Sequence, residues 1–168
     1  MADYTGLPIT ERGDAWGRYT GNRTAAMVII GTYARIAWEP DYPYGTKPDE
    51  WRAMLERMEQ GWGKGVLLSA FAQSLANDAS AREWWARFQR QASSPGAAVA
   101  VLRMDYEIDV RPILSAIRVP TLILHRTEDR MVPVEHARYL ARHIPGAKYV
   151  ELPGTDHFFF TGNPRRFN

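Results

Sequence analysis

Three short apolar runs along the chain predict the strands of a buried sheet. They lie at residues 26–30, 120–125 and 148–152, and the first run ends at Gly31. Short runs that are largely apolar, rather than alternating between apolar and polar positions, are typical of parallel strands covered on both faces. The pattern therefore predicts three strands at the centre of the fold.

Residues 134–144, between the last two runs, have the periodicity of an amphipathic helix. The apolar stripe of this helix comprises Val134, Ala137, Ala141 and Ile144. A strand, a helix and a second strand within about 30 residues form a βαβ unit, in which the strands are parallel and the crossover is right-handed. The core is therefore expected to be α/β, with a mostly parallel sheet.

The segment between the first two strands is long and helical in pattern. Capping signals at Thr46, Ser80 and Ser94 precede apolar positions spaced three and four residues apart. The predicted apolar faces comprise Trp51, Met54, Leu55 and Met58, then Leu67, Ala70, Phe71 and Leu75, then Trp84, Trp85 and Phe88, and finally Ala97, Val101, Met104 and Ile108. We therefore expect a helical subdomain at residues 44–110, called the insert below, within one crossover of the sheet. Its aromatic side chains either pack as a core or line an apolar pocket.

The loops that follow the last two strands carry candidate catalytic residues. Asp129 follows the second strand and His157 follows the third. Catalytic groups gather at the carboxyl ends of parallel strands, so these two side chains are expected to meet. A carboxylate bonded to one imidazole nitrogen fixes the tautomer and leaves the other nitrogen free as a general base. Glu128 is interpreted as a solvated neighbour, whereas Asp156 is an alternative partner for His157.

The remaining histidines and serines have simpler interpretations. His136 and His143 are seven residues apart on one helix, too far for the i, i+4 pair of a zinc site, and are expected at the surface. His125 is expected to be structural. The serines lie in predicted helices or at their caps, and none is expected to be a nucleophile: Ser69, Ser74, Ser80, Ser93, Ser94 and Ser115.

Composition restricts the class of protein. The chain has 168 residues, no cysteine, and 21 basic against 19 acidic residues. The lack of cysteine excludes disulfides, zinc–thiolate sites and a thiol nucleophile, and we expect no cofactor and no metal. The arginines are scattered rather than gathered in a basic stripe, which argues against nucleic-acid binding. No apolar run approaches the roughly 18 residues of a membrane span, so a cytoplasmic protein without a membrane partner is expected.

The two candidate loops resemble those of a known family. Residues 127–133 (Thr-Glu-Asp-Arg-Met-Val-Pro) and residues 150–157 (Val-Glu-Leu-Pro-Gly-Thr-Asp-His), each at the end of a strand, resemble the C-terminal third of the α/β-hydrolase fold. The resemblance implies that Asp129 and His157 are the acid and the histidine of a catalytic triad. It also implies that the insert is the helical cap of that fold, and that the substrate is a small ester or similar molecule with an apolar part.

A narrower resemblance covers residues 23–163. Four segments are similar to bacterial hydrolase domains: Gly-Thr-Tyr-Ala-Arg at 31–35, Asp-Tyr-Pro at 41–43, Trp-Trp-Ala-Arg-Phe at 84–88 and Ser-Pro-Gly-Ala-Ala at 94–98. Such domains are often fused to class III adenylate cyclases. This resemblance therefore implies a fused cyclase domain in the parent protein.

The family's nucleophile motif does not occur in these residues. Its serine lies in a Gly-x-Ser-x-Gly turn, and no such sequence exists in the 168 residues. We therefore expect a partial α/β-hydrolase fold, truncated at both ends. Residues 1–22 are expected to form a leader or loose arm, with a short helix near Trp16, and residues 23–168 to form the partial hydrolase domain.

Two classes of function are consistent with the sequence. In the first, the chain is the portion of a serine hydrolase that carries the cap, the acid and the histidine, and it acts by acyl transfer with a serine supplied from outside these residues. In the second, it is a non-catalytic module that binds a ligand or serves in regulation or assembly. In either case an apolar edge strand is expected to pair with a second copy or with a complementary N-terminal half.

Overall fold

Three parallel strands form one sheet in the computed structural model, which describes residues 24–161. The strands are β1 (Met27–Ile30), β2 (Thr121–Arg126) and β3 (Lys148–Leu152). β2 lies in the middle and pairs with both neighbours in parallel. The predicted parallel sheet is therefore confirmed, whereas the expected arm at residues 1–22, with its helix near Trp16, lies outside the described residues.

Helices fill both crossovers of the sheet. The β1–β2 crossover contains α1 (Pro48–Gly61), α2 (Leu68–Phe71), a 3-10 helix (Gln73–Leu75), α3 (Ala79–Ala92), α4 (Pro95–Glu107) and a second 3-10 helix (Arg111–Ala116). The β2–β3 crossover contains α5 (Val134–His143). The insert is thus helical, as its pattern predicts. No helix in the described part of the chain is long and apolar enough to cross a membrane.

The main core lies between the sheet and α5. Ala137 and Leu140 of α5 pack with Ile123 of β2 and with Ala34, which follows β1. The apolar stripe predicted for residues 134–144 is therefore the side of the helix that faces the sheet. This packing orients the loops at both ends of α5 relative to the strands that they join.

The capping residues of the insert agree only partly with the sequence pattern. Ser94 accepts a hydrogen bond from the amide three residues later at 3.2 Å, which confirms it as the N-cap of α4. α3 begins earlier than predicted, because Asp78 rather than Ser80 accepts the corresponding bond, at 2.9 Å. Thr46 is not the N-cap of α1, since that position is Lys47 and makes no side-chain bond. The short carboxylate of Asp78 is as good a cap as serine, so the local sequence offered two alternatives.

The predicted apolar face of α4 is wrong. Its side chains are exposed to solvent: Ala97, Val101, Met104 and Ile108. The buried side of the helix contains Val99, which packs against Trp51 and Leu55 of α1. Because α4 has apolar residues on more than one side, their spacing alone does not determine which side packs.

Ion pairs join the segments of the chain that enter and leave the insert. Asp109 accepts hydrogen bonds from Arg35 at 3.0 Å and from Arg111 at 2.7 Å. Beside them, the Val110 amide donates to the Ala34 carbonyl at 2.9 Å. Burial acts to raise the pKa of Asp109, but its hydrogen bonds with the two guanidinium groups outweigh burial and hold that pKa below its usual value. The segment after β1 and the C-terminal end of the insert are therefore held side by side.

One face of the sheet is open within the described residues. Val28 of β1 is 59% exposed and Val150 of β3 is 42% exposed. They are in register with Leu122 and Leu124 of β2, on the face opposite to Ile123 and the core. Within residues 24–161, therefore, the expectation that these strands are covered on both faces is wrong, and β1 has a strand neighbour on one side only.

His136 is buried, which corrects its expected place at the surface. Its ring is on the core side of α5 with 3% of the residue exposed, whereas His143 is exposed as expected. The His136 Nδ1 atom lies 2.7 Å from the hydroxyl oxygen of the buried Tyr42. Burial, with a smaller effect of the nearby His125, lowers the pKa of His136 to about 4. Tyr42 lies at the edge of the insert, so no pattern within α5 reveals this partner.

The open face and edge of the sheet are expected to make the 168-residue chain associate. An unpaired strand with exposed apolar side chains pairs readily with another chain. Light scattering at tens of micromolar should therefore give a mass above the 19.1 kDa of one chain. Val28→Lys should reduce the mass, whereas Val101→Lys, on the exposed side of α4, should not. A monomer at these concentrations would contradict the prediction.

Acid is expected to destabilise the fold through His136. The unfolded chain binds this proton near the ordinary pKa of 6.5 and the folded chain only near 4, so the unfolded state holds more protons between these values. The stability associated with a neutral His136 is fully present above pH 6.5. It is lost as the pH falls to 4, at a cost of about 3 kcal/mol in the free energy of unfolding. Urea unfolding at a series of pH values measures this loss, and His136→Asn should remove it; an equal loss in both proteins would contradict the assignment.

Candidate active site

The turn after β2 holds the Asp129 carboxylate in place. Its Oδ1 atom accepts hydrogen bonds from the amides of Met131 and Val132, at 2.8 Å and 3.0 Å. The side chain is almost fully buried. Because the acid and both amides belong to one short turn, the local sequence orients this carboxylate and leaves its Oδ2 atom available for another donor.

His157 lies in the loop after β3 and provides that donor. Its Nδ1 atom is 2.8 Å from Asp129 Oδ2. With the Nδ1 proton directed at the carboxylate, Nε2 carries the lone pair, which is the tautomer that a general base requires. No described residue forms a hydrogen bond with Nε2, and the ring is partly exposed. The structure thus brings together the two residues that the sequence singles out, and their catalytic roles remain predictions.

Gly31, directly after β1, packs against the imidazole near its Nδ1 and Cε1 atoms. It has a φ of +55°, and a Cβ atom at this position would lie 3.2 Å from His157 Cε1 and 3.4 Å from Nδ1. The Gly31 amide donates to the Leu124 carbonyl of β2 at 3.2 Å. The left-handed backbone and the close contact both favour glycine here. The three strands therefore each contribute one residue to the site, at the same edge of the sheet.

His125 lies behind the acid and has a structural role, as expected. Its Nε2 atom is 2.8 Å from the Val132 carbonyl oxygen and 3.6 Å from Asp129 Oδ2. The ring is buried, and its Nδ1 atom has no hydrogen-bond partner in the structure. An Nε2 proton donated to Val132 closes the turn that carries Asp129. His125 thus supports the acid without replacing His157.

Asp156 precedes His157 but does not compete with Asp129 for it. Its carboxylate accepts hydrogen bonds from the Ser74 amide at 2.8 Å, the Ser74 hydroxyl at 2.5 Å and the Thr161 hydroxyl at 2.7 Å. Burial acts to raise the pKa of Asp156, but these bonds outweigh burial and keep that pKa below its usual value. Sequence reasoning missed this contact, because Ser74 is in the insert, 82 positions earlier in the chain.

Aromatic side chains of the insert lie beside the imidazole. The ring centroid of Phe71 is 5.6 Å from that of His157, in an edge-on arrangement. Phe158 stacks on Phe71 at 5.1 Å, and Trp85 packs against Phe71 at 5.4 Å. Of the aromatic residues predicted in the insert, Phe71 and Trp85 thus lie near the site, whereas Trp51 is in the separate cluster between α1 and α4.

No serine hydroxyl among the described residues forms a hydrogen bond with His157. The Ser74 hydroxyl is bonded to Asp156, and the Ser94 hydroxyl caps α4. Between residues 24 and 161, no three His, Asp or Glu side chains gather as a metal site would require. The chemistry that the observed groups can perform is proton transfer at His157 Nε2, supported by the Asp129 carboxylate.

Comparison with known proteins gives consistent matches. A family described as "Alpha/beta hydrolase family" matches residues 3–168. The AB hydrolase superfamily protein YisY of Bacillus subtilis is 31% identical over 154 residues, which cover 90% of this chain and 57% of that protein. Strigolactone esterase D14 of Arabidopsis thaliana is 28% identical over 135 residues, which cover 77% of this chain and 48% of the esterase. The chain therefore spans about half the length of these curated relatives.

A solved structure supports the fold independently. The esterase EaEST from Exiguobacterium antarcticum superposes with a TM-score of 0.74 at 21% sequence identity. The superposition covers 92% of this chain and 60% of the esterase. At this identity the likeness concerns the fold alone, and it shows that most of the chain follows part of the esterase's architecture.

Gly31→Ala is expected to lower the free energy of unfolding by more than the cost of the left-handed backbone conformation, and also to disturb the His157 ring. Gly31→Ala should lower the free energy of unfolding by about 1–2 kcal/mol for the left-handed conformation, with a further cost from the contact with His157. Gly146→Ala is a matched control, because Gly146 has a φ of +72° but no atom within 4 Å of its added Cβ. Gly96→Ala, in the first turn of α4 and also without a close neighbour, should not destabilise the chain.

Urea unfolding of the three variants separates the cost of the left-handed backbone conformation from the cost of the contact with His157. In addition, only Gly31→Ala should alter the NMR signals of the His157 ring. Equal stabilities for the Gly31 and Gly146 variants, with an unchanged His157 spectrum, would contradict the close packing of Gly31 on the imidazole.

Proposed function

Because the chain belongs to the alpha/beta hydrolase family, we propose that it supplies the acid and the histidine of a serine hydrolase. The observation that supports the proposal is the 2.8 Å hydrogen bond between His157 Nδ1 and Asp129 Oδ2, at the carboxyl ends of adjacent parallel strands. Because no Gly-x-Ser-x-Gly sequence occurs in the 168 residues, the proposed nucleophile is a serine from outside them. The chain is then the C-terminal portion of the catalytic unit.

The proposed reaction is acyl transfer from an ester. His157 Nε2 removes the proton of the serine hydroxyl as its oxygen attacks the ester carbonyl, and Asp129 stabilises the imidazolium that forms. The imidazolium then returns the proton to the departing alcohol, which leaves an acyl-serine. Water attacks this second ester in the same way, again with His157 as the base, and the acid is released while the serine is regenerated.

The proposed substrate carries an apolar acyl or alcohol group. The rings of Phe71 and Phe158 lie next to His157 and provide apolar surface beside the proposed base. The strigolactone esterase among the relatives acts, by its name, on an ester. These two observations support an ester with an apolar part over a charged substrate.

The narrower resemblance extends the proposal to the parent protein. The segments at 31–35, 41–43, 84–88 and 94–98 support a hydrolase domain joined to a class III adenylate cyclase. A cyclase domain in the same open reading frame is the expected finding, and a frame without one removes this part of the proposal. The expected cytoplasmic location is part of the same proposal, and fractionation of cells that produce the protein tests it.

The 168-residue chain alone is expected to lack serine-hydrolase activity. Fluorophosphonate probes should not label it, and any trace of p-nitrophenyl acetate hydrolysis should come from the imidazole of His157. His157→Ala should therefore abolish the trace, and acid should suppress it because protonation blocks the base. His143→Ala is the matched control, because this exposed histidine on α5 is not part of the site. Stoichiometric labelling of a serine in this chain would show that a nucleophile is already present.

Complementation tests the positive half of the proposal. The part of the Bacillus subtilis relative outside the matched region, if it carries a Gly-x-Ser-x-Gly turn, should restore probe labelling and hydrolysis when mixed with or joined to the chain. Asp129→Asn should lower the restored rate by about 10⁴-fold, since the histidine then loses the partner that fixes its tautomer. Assembly of the two parts without any hydrolysis would instead favour the alternative, a non-catalytic binding or assembly module.

A further inference from the structure

Three consecutive residues after β3 contact the insert. Asp156 accepts two hydrogen bonds from Ser74, and the Phe158 amide donates to the Phe71 carbonyl at 3.0 Å. Between them, the His157 ring lies against the Phe71 ring. The histidine is therefore flanked on both sides along the chain by bonds to one short segment of the insert.

The loop that carries Asp129 is tied to the same segment. Arg130, the residue after Asp129, donates to the Gln73 side-chain oxygen at 2.9 Å. Gln73 and Ser74 are adjacent in the 3-10 helix of the insert. The neighbours of the acid and of the histidine thus bind two adjacent residues, and this segment of the insert connects the two loops.

The Asp156 bonds are the stronger of these connections. Asp156 is 1% exposed. Its carboxylate accepts hydrogen bonds from Ser74 and the Thr161 hydroxyl, and the Arg126 Nη1 atom lies 4.0 Å from it. A buried carboxylate that loses such partners keeps its desolvation cost, so the contact resists opening. The Arg130–Gln73 bond, in contrast, is exposed to solvent.

We propose that Asp156 is a positioning residue for His157. By binding Ser74 it fixes the backbone of the loop relative to the insert, and this keeps the Nδ1 proton of the next residue directed at Asp129. The docking of the insert and the orientation of the histidine are then one coupled property. The catalytic meaning of this role rests on the proposed function, but the test below requires no turnover.

The test is ¹⁵N NMR of the histidine rings in the full 168-residue chain. In the wild type, His157 should be the tautomer protonated at Nδ1, with a downfield proton in the bond to Asp129. Asp156→Asn and Ser74→Ala should both broaden or remove that proton signal, and the two ring ¹⁵N shifts should move towards each other as tautomers mix. Ser74→Thr, which keeps the hydroxyl, should retain the wild-type spectrum.

Asp78→Ala is the matched control. It removes the N-cap of α3 in the same insert but leaves the hydrogen bonds between Ser74 and Asp156 in place, so the His157 spectrum should stay as in the wild type. A wild-type His157 spectrum in folded Asp156→Asn and Ser74→Ala proteins would overturn the positioning role. If Asp156→Asn does not fold, Ser74→Ala decides the question in the same way.

Failure of the proposed function would be visible separately. A wild-type His157 that is not protonated at Nδ1 would contradict the Asp129–His157 pair itself and overturn both proposals. A spectrum that responds to Asp156 and Ser74 as expected, in a chain that gains no hydrolysis on complementation, would uphold the positioning role and overturn only the proposed function.

Discussion

The parallel register of the three strands is the constraint on which the site depends. It places the ends of β1, β2 and β3 at one edge of the sheet, where Gly31, Asp129 and His157 meet. Parallel pairing also requires a long connection between successive strands, and that requirement leaves room for the insert in the first crossover. The same rule of pairing therefore accounts both for the edge where these three residues meet and for the length of the connection that contains the insert.

The two buried carboxylates of the site are held in different ways. Asp129 binds two amides of its own turn, so its position depends on a few adjacent residues. Asp156 binds Ser74, so its position depends on the docking of a distant segment. Each acid has acceptor positions filled by donors, which is the condition under which a buried charge is tolerated. Asp129 is thus positioned by its own turn, whereas the loop that carries His157 is positioned by a tertiary contact with the insert.

This difference explains how much of the molecule is predictable from the sequence. The strands are predictable from short apolar runs, and the apolar stripe of α5 from the spacing of its residues. The pair Asp129–His157 is predictable from the loops that follow two of the strands. The burial of His136, the contact of Asp156 with Ser74 and the packed side of α4 depend on which element lies opposite, and that information is not in the local pattern. Asp78 and Ser80 illustrate the intermediate case, since both are adequate N-caps and the local sequence alone does not show that Asp78 is the one used.

The closed base of the insert has a consequence for the evolution of the fold. Because the Arg35–Asp109 and Ala34–Val110 hydrogen bonds hold the segments before and after the helices together, the distance between these segments stays short whatever lies between them. Helices can be lengthened, removed or exchanged for others in that position without any change in the distance that the connection must span. The sequence of the insert can therefore diverge while the sheet keeps its own requirements, as long as a replacement preserves a partner for Asp156.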